Sequence, residues 1–346
     1  HCVLANRSNE RQTGKVWAGL DETEGSDPSS RTILKRAAVA ANFRGPETKP
    51  GRLLNYELAL SGMGQRCRRE RVASCSAYWD CLGASYTLEP GEQVEFSFVL
   101  AEYLHETEVV TRFGEPCSLY YQGCFASVRE VIAYAVRERR RIMARSDLFD
   151  SLIDASGLPE RIRAFICWNF HLHLGNSWLL RRAAGGVFFT NYEGGTGYFS
   201  TIDVEHSLAL FYVLFWPQLL ADQLELWAET YARGNRLRPH SFGPGHRIME
   251  HDVGGGFAID EQIYIQGPMP VEENCNYLLL QSLYYRFTGD LGLFTRHREL
   301  CRELAQYVLD SDTTGNGLPD RGTSNTLDCF DPLFRDMEDQ VLSLIH

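Results

Sequence analysis

Three loops carry acids of the kind that do chemistry. In Asn191-Tyr192-Glu193-Gly194-Gly195-Thr196-Gly197-Tyr198-Phe199-Ser200-Thr201-Ile202-Asp203-Val204, Glu193 stands among glycines and Asp203 where an apolar run begins. Glycine permits turns closed to other residues and lets a ligand approach the backbone. Glu250-His251-Asp252-Val253-Gly254-Gly255-Gly256 runs a His-Asp pair into three glycines, and Gly322-Thr323-Ser324-Asn325-Thr326-Leu327-Asp328 is a polar loop ending in an acid. Each feature also has a plain structural reading. Asp203 suits the positive end of a helix, His251-Asp252 an ordinary hydrogen bond, and Asp328 an N-cap. Together they put two carboxylates, Glu193 and Asp328, on loops at the ends of a helical layer, and two acids flanking one bond are what glycoside cleavage requires.

Other constellations carry less. His171-Leu172-His173 cannot set both rings on one helix face, and Asp203 with His206 has helical ligand spacing but no third ligand in view for zinc. The loop from Asp310 through Asp312 to Asp320 alternates oxygen ligands as part of a calcium loop does, but it has no closing bidentate glutamate. Calcium at those three aspartates is thus the weak alternative to no metal at all. No GxSxG, Walker loop or GxGxxG before a helix occurs.

Composition limits the partners. The chain has 346 residues, 44% of them hydrophobic and 23% charged, which is globular and ample for a large core. A formal net charge of -11 argues against nucleic acid or an anionic membrane and leaves a small neutral substrate. The longest apolar run, Leu208 to Trp216, is far short of the roughly 20 residues a bilayer span needs. Ten scattered cysteines without a CxxC pair read as reduced, small buried hydrophobes, which suits a cytoplasmic setting. The chain begins at His1 rather than Met, and Leu342-Ser343-Leu344-Ile345-His346 is what a transposon-end library adapter encodes, so a truncated reading frame with an artificial tail at 342–346 is expected.

The periodicity changes partway along the chain. Ser85-Tyr86-Thr87-Leu88, the turn Glu89-Pro90-Gly91-Glu92 and Gln93 to Leu100 read as a β-hairpin with Val94, Phe96 and Phe98 on one face. From Ser127 the spacing of Val128, Val131, Ile132 and Ala135 is helical, and the run Arg137-Glu138-Arg139-Arg140-Arg141 is a solvated face. Further helices are expected at Ile162 to Leu180, Val204 to Phe215, Pro217 to Ala232, Asn274 to Phe287 and Leu291 to Leu309. Several are apolar nearly all round, so an inner layer wrapped by an outer one is expected.

These motifs together resemble glycoside hydrolase family 116, the bile-acid (non-lysosomal) glucosylceramidases and microbial β-glucosidases, and the related family 52 β-xylosidases. The resemblance lies in Glu193-Gly194, in Thr201-Ile202-Asp203-Val204 before a helix with Trp216-Pro217-Gln218, in His251-Asp252-Val253-Gly254, and in Gly315-Asn316-Gly317-Leu318-Pro319 leading to Thr326-Leu327-Asp328. Ser200 stands where the family has Asn. The resemblance implies a partial β-sandwich over 1–125, a linker helix over 126–157, and over 158–341 the first half of an (α/α)6 barrel.

It also implies a retaining β-glycosidase without an organic cofactor, acting on a β-linked glucoside or xyloside. Glu193 is then the nucleophile and Asp328 the acid/base, while Asp203, His251, Asp252 and Thr326 bind the substrate. Burial against apolar walls would hold Asp328 neutral, and nearby hydrogen-bond donors should serve Glu193. Two other readings fit similar residues: an inverting hydrolase or phosphorylase on a helical barrel, and a carbohydrate-binding scaffold without catalysis.

Overall fold

The computed structural model describes residues 2–21, 32–41, 52–63, 67–74, 77–106, 109–193, 197–234, 248–256, 258–259 and 269–320. Asp328, Thr326 and the 342–346 tail lie outside them. Contacts divide the chain into two compact units, one of residues 1–42, 50–107 and 121–168, the other of 43–49, 108–120 and 169–346.

The first unit holds strands β1 (Cys2–Ala5), β2 (Gln12–Asp21), β3 (Thr32–Ala41), β4 (Arg52–Met63), β5 (Cys67–Ser74), β6 (Ala77–Leu88) and β7 (Gln93–Leu104). They form two antiparallel sheets, β1-β7-β4-β3 and β2-β6-β5. Leu60 on one sheet and Leu82 on the other share a buried cluster with Leu58, Phe98 and Ala18. Val94 and Phe98 flank a second cluster around Ala84 and Phe96, as the alternation requires.

The expected hairpin is not one. β6 pairs with β2 and β5, whereas β7 pairs with β1 and β4, so the Glu89–Glu92 turn carries the chain from one sheet to the other. Asn6 explains the switch: its amide donates to the Leu88 carbonyl, and its backbone exchanges hydrogen bonds with Gly91 and Glu92. The backbone groups that a hairpin partner would take are already satisfied.

Helix α1 (Val128–Ala155) starts at a reciprocal cap, in which the Ser127 hydroxyl accepts from Glu130 N–H and the Glu130 carboxylate from Ala126 N–H. Its Val128 and Ile132 bury against Ala101 and Tyr103 of β7. Within the arginine run Glu138 pairs with Arg137 and Arg141, and Arg139 reaches Glu95.

In the second unit, β8 (Val110–Arg112) and β9 (Glu115–Leu119) form a two-residue hairpin with Phe113 and Gly114 both at positive φ. Helix α2 (Glu160–Asn176), whose residues up to Trp168 belong to the first unit, ends earlier than its apolar run suggests, because Ser177–Arg182 becomes strand β10, paired with β9 and with β11 (Val187–Glu193). A short apolar run is ambiguous between helix and strand, and here two waiting strand edges decide. Strand β12 (Tyr198–Phe199) closes the order β12-β11-β10-β9-β8.

Helices α3 (Ile202–Phe215), α4 (Pro217–Gly234), α5 (Pro270–Thr288), α6 (Gly292–Arg296) and α7 (Arg298–Asp310) follow. The single helix expected over Leu291 to Leu309 breaks at His297, whose ring nitrogen lies 2.7 Å from the Glu225 carboxylate of α4. The expectation that α3 is covered on every side is also corrected: Ala209, Tyr212 and Val213 are buried, but Leu210 and Leu214 are exposed. Among the described cysteines Cys117 and Cys301 are buried, as expected of small hydrophobes, whereas Cys124 and Cys167 are exposed.

Candidate functional site

Strand β11 delivers Glu193 at its last residue, just before the glycines of the sequence. Gly194 and Gly195 lie outside the described residues, but Gly197, at φ 86°, donates to the Glu193 carbonyl. Ser200 then adopts φ 44°, a left-handed conformation that asparagine tolerates better than serine. Its hydroxyl lies 2.9 Å from Thr190 Oγ1, and its carbonyl accepts from the buried Trp227 indole.

Thr201 is the N-cap of α3, yet its side chain makes no capping bond. Instead its hydroxyl donates to Glu193 Oε2 at 3.1 Å. A capping hydroxyl normally serves an orphan helix N–H; diverting it fixes the Glu193 carboxylate beside the positive end of α3.

Backbone pairing brings in the second loop. Phe199 N–H donates to the Gly254 carbonyl, Val253 N–H to the Phe199 carbonyl and Ile202 N–H to the His251 carbonyl. This register sets His251 Nε2 at 3.9 Å from Asp203 Oδ1. His251 Nδ1 lies 3.1 Å from Asp252 Oδ2, and since a carboxylate only accepts, Nδ1 is the donor of that bond. The other Asp252 oxygen accepts from Gly254 N–H. Asp203, His251 and Asp252 are thus brought together, with Asp203 two residues past the threonine that holds Glu193.

Some neighbours carried no signal in the sequence. Glu205, two residues past Asp203, is buried, and it accepts from Tyr212 O–H at 2.8 Å and Gln223 N–H at 2.9 Å. Burial, opposed by those hydrogen bonds, lifts its pKa to about 7. Glu272 and Glu273 enter on the first turn of α5, where the helix dipole favours acids. Asn274 ties that turn to the second loop by accepting from Met249 N–H. Burial and then the Asp203 charge raise Glu272 to about 7 and Glu273 well above its ordinary value. Asp203, His251 and Glu273 each offer an atom within 4.8 Å of the others, with His251 and Glu273 buried. The apolar spacing predicts this helix only from Asn274, whereas it begins at Pro270, so nothing in the local pattern marks the Glu-Glu pair.

The remaining candidates lie elsewhere. His173 is buried near Asn191 and Ser177, with burial lowering its pKa, while His171 is exposed. In the loop after α7, Asp312 accepts from the N–H groups of Gly315, Asn316 and Gly317, and Asp320 accepts from Thr313 N–H and O–H. Asp310 accepts from Gln306. His206 is not part of the Asp203 cluster. The structure therefore gathers Glu193, Asp203, His251 and Asp252, while Asp328 and Thr326 fall outside the described residues.

Among the described residues no helix is long and apolar enough to cross a membrane. None of the curated proteins compared matches the chain. Residues 54–255, a span that runs from β4 through both site loops to Gly255, match the model of glycosyl hydrolase family 52, and the chain belongs to that family.

Proposed function

We propose that this chain is a retaining β-glycosidase in which Glu193 attacks the anomeric carbon and Asp328 protonates the leaving oxygen, then activates water for the second step. The carrying observation is the Thr201 hydroxyl on Glu193 in place of a helix cap. A carboxylate at a strand end, fixed by a donor that the helix gives up, is positioned for attack. The family match makes glycoside cleavage the reaction class. Asp203, His251 and Asp252 hold sugar hydroxyls beside it, Thr326 contributes from the loop of Asp328, and the substrate is a β-xyloside or β-glucoside. No organic cofactor enters the two displacements. The paired sheets of the first unit and the helices of the second fit a β-sandwich followed by the first helices of an (α/α)6 barrel.

Two substitutions in the complete gene product test this. Glu193→Gly should abolish hydrolysis of nitrophenyl β-xyloside and β-glucoside, and azide or formate should restore it with inverted product, because the small anion takes the place of the lost nucleophile. Unimpaired turnover in Glu193→Gly without added anion sinks the assignment. Asp328→Ala should slow poor leaving groups by about 10²–10⁴-fold and activated aryl groups far less, since only the former need the proton. Equal losses on both would move the acid to Asp320 or Asp331.

A further inference from the structure

We infer that Glu205 is a positioning residue for the nucleophile: its buried carboxyl ties strand β11 to the first turn of α3, the two segments between which Glu193 is held. The inference rests on the glycosidase reading and deepens it with a side chain that lies behind the site.

The tie is short at both ends. The Glu205 N–H donates to the Thr201 carbonyl at 2.9 Å, so Glu205 stands one turn of α3 after the residue whose hydroxyl holds Glu193 Oε2. On the strand side Asn191 lies two residues before Glu193, on the same face of β11. Its amide is hydrogen-bonded to the Glu205 carboxyl. The backbone adds a second link, since the Asn191 carbonyl accepts from Ser200 N–H at 2.7 Å, directly before Thr201. Behind Glu205, Tyr212 O–H and Gln223 N–H fix one carboxyl oxygen, and the His173 ring lies 3.3 Å from the Asn191 amide nitrogen. Asn191, Glu205, Tyr212 and Gln223 are all buried.

A buried acid beside a nucleophile must not oppose its charge. Asn191 Oδ1 and Gln223 Oε1, acceptors on the side chains around Glu205, have no hydrogen-bond partner among the described residues, so the pocket favours a carboxyl with an O–H to give. Burial keeps that proton on against the pull of the donors, and the Glu193 charge adds to it. Glu205 therefore stands behind Glu193 as a neutral group that sets its place without repelling it. Small errors in that place slow attack steeply, because the reacting atoms must be aligned at contact distance.

The test follows covalent trapping of Glu193 in the complete gene product by dinitrophenyl β-xyloside and β-glucoside that carry fluorine in place of the hydroxyl next to the anomeric carbon. The Glu193 carboxylate displaces dinitrophenolate and keeps the sugar as an ester, which the fluorine makes slow to hydrolyse, so released dye reports the attack alone. Glu205→Leu should slow the maximal trapping rate roughly 10–100-fold while the Kd of the reagent stays close to that of wild type. Glu205→Gln keeps an acceptor for Tyr212 and Gln223 and offers N–H to the neighbouring oxygens, so it should recover most of the rate. Asn191→Ala should slow trapping as Glu205→Leu does, and in the Glu205→Leu background it should change little, because the two side chains make one link. A Glu205→Leu protein trapped at the wild-type rate overturns the inference, as does one whose Kd weakens in step with its rate, the sign of a general loss of structure. Should Glu205→Leu not fold, Asn191→Ala decides: trapping at the wild-type rate overturns the inference, and slowed trapping with an unchanged Kd upholds it. If wild type itself is never trapped, the glycosidase reading falls and this inference with it.

Discussion

At the scale of single residues, Thr201 links helix formation to chemistry. A mid-sized hydroxyl at an N-cap usually stabilises its own helix, and here the same oxygen orients Glu193. Thr201→Val keeps the shape and removes the donor, so kcat should fall by about 10-fold, the effect of one hydrogen bond to a charged group. Thr201→Ser should restore most of the rate, and steady-state kinetics on an aryl glycoside would show a structural defect instead if Ser fails as Val does. Glu205 gives a prediction with a sign. Its pKa rises from 4.5 to about 7 in the fold, so the folded state holds a proton that the unfolded chain releases. Its contribution to stability is therefore complete below about pH 4.5 and is lost as pH rises through about 7. Glu205→Gln removes that loss: the variant should gain on wild type above pH 7, by at most about 3 kcal/mol, and the gain should vanish near pH 4. Urea unfolding at both pH values checks it.

At the scale of elements, the site depends on one strand-like pairing. The Gly254 carbonyl accepts from Phe199 and its φ is 139°, a conformation closed to most side chains. A Cβ there would stand 2.3 Å from the Ala258 carbonyl oxygen, which is backbone and cannot swing aside. Gly254→Ala should therefore lower stability by about 1–3 kcal/mol from backbone strain alone, with the clash added. Because the same pairing registers His251 against Asp203, activity should fall further than the melting temperature explains. Equal Tm and equal activity in Gly254→Ala would mean that the loop does not need this register.

At the scale of the whole second unit, a buried cation joins distant parts of the chain. Arg112 of β8 is fully buried, donates to Thr230, to the Leu226 and Ile259 carbonyls and to Glu229 of α4, and lies 4.3 Å from the Phe113 ring centre. Glu229 also pairs with Arg182 of β10. Burial works to raise the Glu229 pKa, but the Arg182 hydrogen bond and the two guanidiniums together bring it down to about 2. That stabilisation is present above the ordinary 4.5 and is lost as pH falls toward 2, so acid unfolding of this unit should begin below pH 4.5. Removing one partner of a buried pair typically costs about 3–5 kcal/mol. Arg112→Met should do so, and circular dichroism during a urea titration would reveal an unchanged midpoint if the network is idle.

Much of this protein was legible in its sequence because the signals are local. The change of period at Ser127, the proline that opens α4 and the glycines that follow Glu193 and Asp252 all act within a turn or two of their own position. The acids of chemical interest were visible for the same reason: glycines stand beside them and apolar runs follow them. What depends on partners far along the chain was decided only by the tertiary structure. Two strand edges turn Ser177–Arg182 from helix into strand, and Asn6 makes a hairpin into a crossing between sheets. No local pattern marks Glu205, Glu272, Glu273 or Arg112 as buried, because burial of a charge depends on which helices pack over it. The meeting of Asp203, His251 and Glu273 comes from the Phe199–Gly254 pairing and from Asn274 holding the start of α5 against that loop, contacts between segments that only folding brings side by side.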